Sequence, residues 1–449
     1  MTENASAATT DAEVAEPQIL KSPRESRVVL VSTPEALNSA TEVLAAASGL
    51  FAVDAERASG FKYSQRAYLI QVHRRGTPIF LIDPAALAPD IADAPQAFFK
   101  LAAVMQAAPW ILHSASQDLP CLLEIGISCP QLFDTELGSR IAGFERVGLG
   151  AVCERLLGLR LAKEHSAVDW SIRPLHADWL NYAALDVDVL PDLHEALVAE
   201  LEYQGKLEWA LQEFAHTLEM KKRDPKVDRW RGMSGMQHLR DQRSLAIARE
   251  LWTTREAIAA KVDVSPGRLI PDASIVAVVQ NPPKSRPELA GFKAFNGRAR
   301  STYLDAWWDA LDRGLHTRDL PPVKLPTVGI PNHRNWPQRY PEADARLQAA
   351  KAVISKVSEL HGVPAENILK PDSLRELCFT PPATNDLAAL VAALLNLGAR
   401  HWQIELVAQG FLEAMKAEPA PAVAESSVEG SSEVAEGVGV SPVTELEAD

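Results

Sequence analysis

The stretch Leu50 to Gly60, LFAVDAERASG, constrains this chain more than any other. Phe51, Ala52 and Val53 lead into Asp54 and Glu56, and in an extended strand residues two apart project from one face. Two carboxylates therefore point the same way at the end of an apolar strand. Like charges set side by side in a core repel and lose hydration, so the pair stays ionised only beside a cation. Hard oxygen ligands favour Mg²⁺ or Mn²⁺, and two such ions can hold both the attacking and the leaving oxygen of a phosphodiester displacement. The alternative, for this stretch alone, is a strand end running into a polar turn.

At 449 residues the chain exceeds one ordinary domain. Residues 1–25 are acidic, rich in Ala, Glu and Thr, and predict a disordered leader. From 26 to 220 strand patterns (RVVLVS, LFAVDAE, AYLIQVH, PIFLID) give way to strands alternating with helices over Ala94–Ala107, WILH, Ala115–Glu124 and QLFD. That order predicts an α/β domain with a mixed sheet. A basic linker, 221–232, leads to helical patterns over 233–318. A connector, 319–341, holds six prolines and is not expected to enter a core. Residues 342–415 are again helical by periodicity, and the two helical units could be distant copies of each other. The acidic Ser/Glu/Val/Ala tail, 416–449, is expected to be disordered.

The net charge of -14 would argue against a nucleic-acid binder if it were spread evenly. It is not: residues 1–20 carry -4 and 417–449 carry -8, whereas 221–320 hold 19 Lys/Arg against 12 Asp/Glu. The four cysteines show no zinc spacing and read as reduced core thiols. No apolar run reaches the roughly 18 residues of a membrane span, and no signal core opens the chain, so a cytoplasmic protein is expected.

Three further positions join the first two. In WILHSASQDL, Asp118 lies in the first turns of a helix after a strand, at the sheet edge where α/β proteins gather their sites; a carboxylate placed simply to suit a helix N-terminus is the alternative. In WLNYAALDVDVL, Tyr182 and Asp186 are four apart and share a helix face. His113 reads as a packed neighbour of the second motif, and Asp134 as a cap carboxylate.

Taken in order, D-A-E, H-S-A-S-Q-D-L and Y-x-x-x-D resemble the ribonuclease D family, 3′-5′ exonucleases of the tyrosine subclass of the DEDD superfamily. SQRAYLIQV, FDTELGSRIAG and DWSIRPL carry the same resemblance, which covers about residues 27–215. It implies a ribonuclease H-like mixed-sheet exonuclease domain followed by two all-α HRDC-like domains, the first over 233–318. It further implies that Asp54 bridges two divalent ions (Mg²⁺ or Mn²⁺), that Glu56 and Asp186 complete one site, that Asp118 holds the other, and that Tyr182 orients the attacking water. The partner implied is RNA with a free single-stranded 3′ end, with tRNA precursors the usual family substrate. Single-stranded DNA, as in the Werner-type exonucleases, and a non-catalytic binding scaffold are the competing readings. Where the family commonly has an aromatic residue after the motif glutamate this chain has Arg57, which could meet a phosphate. Lys163 and Arg173, flanking DWSIRPL, are further substrate contacts to test, as are Arg240, Arg243, Arg249 and Arg255 on the first HRDC-like helix.

Overall fold

The computed structural model describes residues 16–24, 27–162, 168–219, 227–295, 297, 299–325 and 329–418. Eight strands are present among them: β1 (Gln18–Leu20), β2 (Val28–Val31), β3 (Phe51–Arg57), β4 (Ala67–His73), β5 (Ile79–Ile82), β6 (Trp110–Leu112), β7 (Leu132–Asp134) and β8 (Leu159–Leu161). Six form one mixed sheet in the order β2-β5-β4-β3-β6-β7. The antiparallel pairs β3–β4 and β4–β5 sit at its centre, and parallel pairs flank them. All seven residues of β4 and all four of β5 are buried, as expected of strands covered on both faces.

The helix Ala177–Asp188 lies across β3, β4 and β5 and is followed at once by Leu190–Tyr203. The helix expected over Ala94–Ala107 is broken into Ala94–Ala97 and Phe99–Met105, with Phe98 buried at the break. The one expected over Ala115–Glu124 opens as a 3₁₀ turn, Ala115–Gln117, before Leu119–Glu124.

Three expectations about the ends and connectors are corrected. The leader does not extend unstructured to residue 25: Gln18–Leu20 pairs in parallel with Leu159–Leu161. Arg24 grips Asp188 and Asp192, and Lys21 O accepts from Asn181 Nδ2. The connector 319–341 does supply a core residue, because Trp336 is fully buried and donates Nε1–H to Pro331 O. Residues 221–226 of the basic linker, and the tail beyond 418, lie outside the described residues; the rest of that linker is no mere spacer, because its Trp230 is buried in the core of the first helical unit.

The helical units repeat one plan. Helices of 21, 4 and 9 residues begin at Gln242, Pro266 and Asp272 in the first, and at Pro341, Ala365 and Pro371 in the second. Asn281-Pro282-Pro283 and Thr380-Pro381-Pro382 follow the third helix at the same place. Their cores differ in ownership. The first unit packs its own core around Trp230, Leu251, Phe295 and Trp307, whereas the second shares one continuous core with the exonuclease sheet. At that junction Glu213, itself buried, accepts from Arg400 Nε and Nη2 at 2.6 Å each and from Trp402 Nε1 at 2.8 Å. No described helix is long and apolar enough to cross a membrane.

Candidate active site

A cavity of about 430 Å³ opens beside β3, lined by Asp54, Glu56, Arg57, His113, Asp118, Tyr182 and Asp186 among others. Asp54 and Glu56 reach it from one face of β3, as the two-residue period predicts. Arg57, next in sequence, lines it as well; the register shift between Glu56 and Arg57 breaks the strand's alternation at that point. Tyr182 and Asp186 come from successive turns of Ala177–Asp188. One oxygen each from Asp54, Glu56 and Asp186 lie within 4.8 Å of one another.

Asp118 arrives from the turn after β6, where Ser114 takes a left-handed conformation (φ 68°). The turn is clamped by Asp134, whose Oδ1 accepts from Ser114 N at 3.0 Å and whose Oδ2 accepts from Ala115 N at 2.9 Å. Asp134 Oδ1 also caps the helix Thr135–Ile141 through Glu136 N and Leu137 N. The expected cap is thus present, and the same carboxylate also shapes the segment that delivers Asp118. His113 fits the expected packed neighbour. Thr135 Oγ1 donates to Leu112 O, so it accepts from His113 Nδ1–H at 2.9 Å, leaving Nε2 as the ring's acceptor. Burial lowers this imidazole to about 4, so it is neutral at ordinary pH.

The electrostatics are those of crowded acids. Burial, then Asp54 and Asp186, push the Glu56 carboxyl up to about 9. Asp118 is pushed up to about 9 by burial and then by Asp54. Asp54 rises to about 6 by burial, and Asp186 rises well above the usual range by burial and then Asp54. Arg57 opposes the rise at Asp54, Glu56 and Asp118. The Tyr182 phenol is raised by burial and by Asp186, and so stays protonated. Hard oxygen donors, converging and mutually repelling, fit a hard divalent cation.

The predicted arginines behave differently. Arg173 is used by the fold: its Nε and Nη2 pair with Asp83 at 2.6 Å each, and its other donors reach Trp170 O, Ile172 O and Tyr68 O. Arg243 donates to Gly314 O and Thr317 O. Arg249 pairs with Asp319 and Glu250, and Arg255 is buried against Asp272. Arg240 is exposed and does not line the cavity, and Lys163 lies outside the described residues. Each of these guanidinium pairings joins the arginine to a residue or loop that helical periodicity does not reveal.

Sequence reasoning missed Arg24. It donates Nε–H to Asp188 Oδ2 at 3.0 Å and Nη2–H to Asp188 O at 2.9 Å, bracing the helix that carries Tyr182 and Asp186. The short apolar pair Ile19-Leu20 was the one available signal that structure begins before residue 25.

Comparison with known proteins gives matches to each of the three units. Residues 28–202 match the family model described as a 3′-5′ exonuclease, 244–311 match the HRDC domain, and 329–415 match a 3′ to 5′ exonuclease C-terminal domain. The fold and these matches define a 3′-5′ exonuclease of the ribonuclease H-like class, a nuclease hydrolase. Ribonuclease D of Granulibacter bethesdensis is 29% identical over 67% of this chain and 78% of its own length. Ribonuclease D of Escherichia coli is 26% identical over 85% of this chain and 96% of its own. A crystal structure of a protein from Bifidobacterium adolescentis superimposes with a TM-score of 0.81 and 37% identity, over 90% of this chain and all of that one. The chain belongs to the ribonuclease D family, whose superfamily depends on divalent metal.

Proposed function

We propose that this chain is an exoribonuclease that releases nucleoside 5′-monophosphates one at a time from a free 3′ end of RNA. In this reading two divalent ions, Mg²⁺ or Mn²⁺, sit at the carboxylate cluster. The observation that carries the proposal is the convergence of Asp54, Glu56 and Asp186 on one small volume, with Asp118 and Tyr182 lining the same cavity. The name of the relatives in Granulibacter bethesdensis and Escherichia coli supports RNA as the substrate class.

Asp54, Glu56 and Asp186 would hold one ion, and Asp54 with Asp118 would hold the other. Bound there, the ions supply Lewis acidity that activates water and offsets charge on the leaving 3′-oxygen. The remaining work falls to the chain itself. Tyr182, held protonated, donates a hydrogen bond that orients the attacking water beside Asp186. Arg57 lines an otherwise acidic cavity and, with no side-chain hydrogen bond among the described residues, is available to a phosphate oxygen. The neutral His113 offers only an acceptor, which suits a sugar hydroxyl better than a phosphate. The physiological strand in this reading is the 3′ extension of a tRNA or another structured RNA.

The test uses 5′-labelled single-stranded RNA and DNA of one sequence, with wild-type protein and Asp54→Ala, in Mg²⁺ or Mn²⁺. A ladder shortening from the 3′ end of RNA, absent with the variant and with a 3′-phosphate block, is the expected result. Preference for DNA would replace the substrate class, and binding without shortening of either strand would overturn the enzyme.

A further inference from the structure

A second cavity, about 440 Å³, lies where the first helical unit meets the exonuclease domain. It is formed by Phe61 and Lys62 from the segment joining β3 to β4, by Asp169 and Ser171 from the DWSIRPL loop, and by Arg268, Thr302 and Tyr303 from the helical unit. Phe61 also lines the catalytic cavity, so the two spaces meet at one aromatic ring.

The wall between them is held in place. Ser265 N donates to Phe61 O at 2.9 Å, and Arg268 Nε donates to Gly60 O at 2.6 Å while its guanidinium lies over the Phe61 ring, 4.0 Å from the centroid. Asp263, at the left-handed end of the helix Gln242–Val262, accepts from Ser64 N at 2.8 Å and from Tyr68 Oη at 3.2 Å. The helical unit is therefore fastened to the segment that directly follows Asp54 and Glu56.

The charges of the two cavities are opposite in balance. The catalytic cavity gathers four carboxylates around one arginine, whereas the second is lined by Lys62 and Arg268 against Asp169, with Asp263 outside that lining and its Oδ2 3.9 Å from Lys62 Nζ. Asp169 is engaged by Ser171 N and Oγ within its own loop. A polyanionic strand ending in the first cavity is repelled there until cations neutralise it, and gains its electrostatic hold next door. Phe61 and Tyr303, both partly exposed, offer ring faces of the kind on which unpaired bases stack.

We propose that this second cavity is the subsite for the nucleotides immediately upstream of the 3′-terminal one in a single-stranded RNA. Phe61 separates the terminal nucleotide from its neighbour, Tyr303 and Phe61 receive bases, and Lys62 receives a phosphate. The subsite rests on the exoribonuclease reading and deepens it, because it makes the first helical unit part of the substrate path.

Two measurements test it on the full chain. In the first, Asp54→Asn protein is photocrosslinked to RNA carrying a single 4-thiouridine at stepped positions from the 3′ end. Positions just upstream of the terminal nucleotide are expected to crosslink to peptides containing Phe61 or Tyr303; crosslinks from those positions confined to other surfaces would overturn the subsite. In the second, Lys62→Gln, which removes the charge and keeps the stem, is compared with wild type on a long single strand and on a dinucleotide. The ratio of kcat/KM for the long strand over the dinucleotide is expected to fall about tenfold, the effect of one lost charge-assisted phosphate contact. An unchanged ratio overturns the subsite while leaving the exonuclease standing, and wild-type protein that shortens no RNA removes the reading on which both rest.

Discussion

Replacing Glu56 by Gln should abolish exonuclease activity and, in metal-free protein, make the fold more stable. An ordinary glutamate in the unfolded chain titrates near ~4.3, whereas burial, Asp54 and Asp186 push Glu56 up to about 9 in the folded one. At neutral pH the unfolded state is then ionised and the folded state holds the proton. A gap of ~2.7 pH units at ~1.4 kcal/mol per unit sets an upper bound of ~3–4 kcal/mol against folding. Because Glu56 is only partly buried and shares its repulsion with three other acids, ~2 kcal/mol is the expected gain on substitution. The sign with pH is opposite to that of a salt-bridged carboxylate. Below about pH 4 both states are protonated and the penalty is absent; it grows as pH rises through the window to about 9 and is then constant. Urea unfolding in chelator, at about pH 5 and about pH 8, should show wild type losing stability with rising pH relative to Glu56→Gln. Restoring Mg²⁺ or Mn²⁺ should stabilise wild type more than the variant, because ligands that bind only the native state raise its stability. A variant no more stable than wild type at about pH 8 in chelator would refute the claim that these acids are assembled under electrostatic strain.

Three other outcomes follow from the same structure. Arg57→Ala should lower kcat/KM about ten- to a hundredfold, chiefly through KM in steady-state RNA digestion, since it loses one charge-assisted contact to phosphate. Tyr182→Phe should cut kcat about tenfold with little change in KM; because the phenol is held protonated, the wild-type pH–rate profile should show no tyrosine ionisation near its usual ~10. Arg400→Ala should cost about 3–5 kcal/mol in urea unfolding, as it strands the buried Glu213 charge with Trp402 as its remaining side-chain donor.

The residues that line the first cavity were each legible through local signals, and the order of their motifs, through its resemblance to ribonuclease D, joined them. Asp54 and Glu56 share a face through the two-residue period of a strand, and Tyr182 and Asp186 through the turn of a helix. Asp118 follows an apolar strand in the way that α/β edges present their polar groups. The mixed sheet followed from the order of strand and helix patterns. In each case neighbours within a few residues carry the information.

What only the tertiary structure decided involves partners far apart in the chain. No periodicity shows that Arg173 is held by Asp83, Arg243 by the carbonyls of Gly314 and Thr317, or Arg255 by Asp272, so a basic count overstated the cations left for nucleic acid. The strand Gln18–Leu20 exists because Leu159–Leu161 supplies its hydrogen bonds, and Trp336 is buried because the connector folds it against Phe379 of the second helical unit. Backbone pairing and packing between such segments depend on which surfaces meet once the chain has closed. Local spacing therefore determines which side chains share a face, while long-range closure determines which faces meet, which charges are neutralised, and where the second cavity opens beside the first.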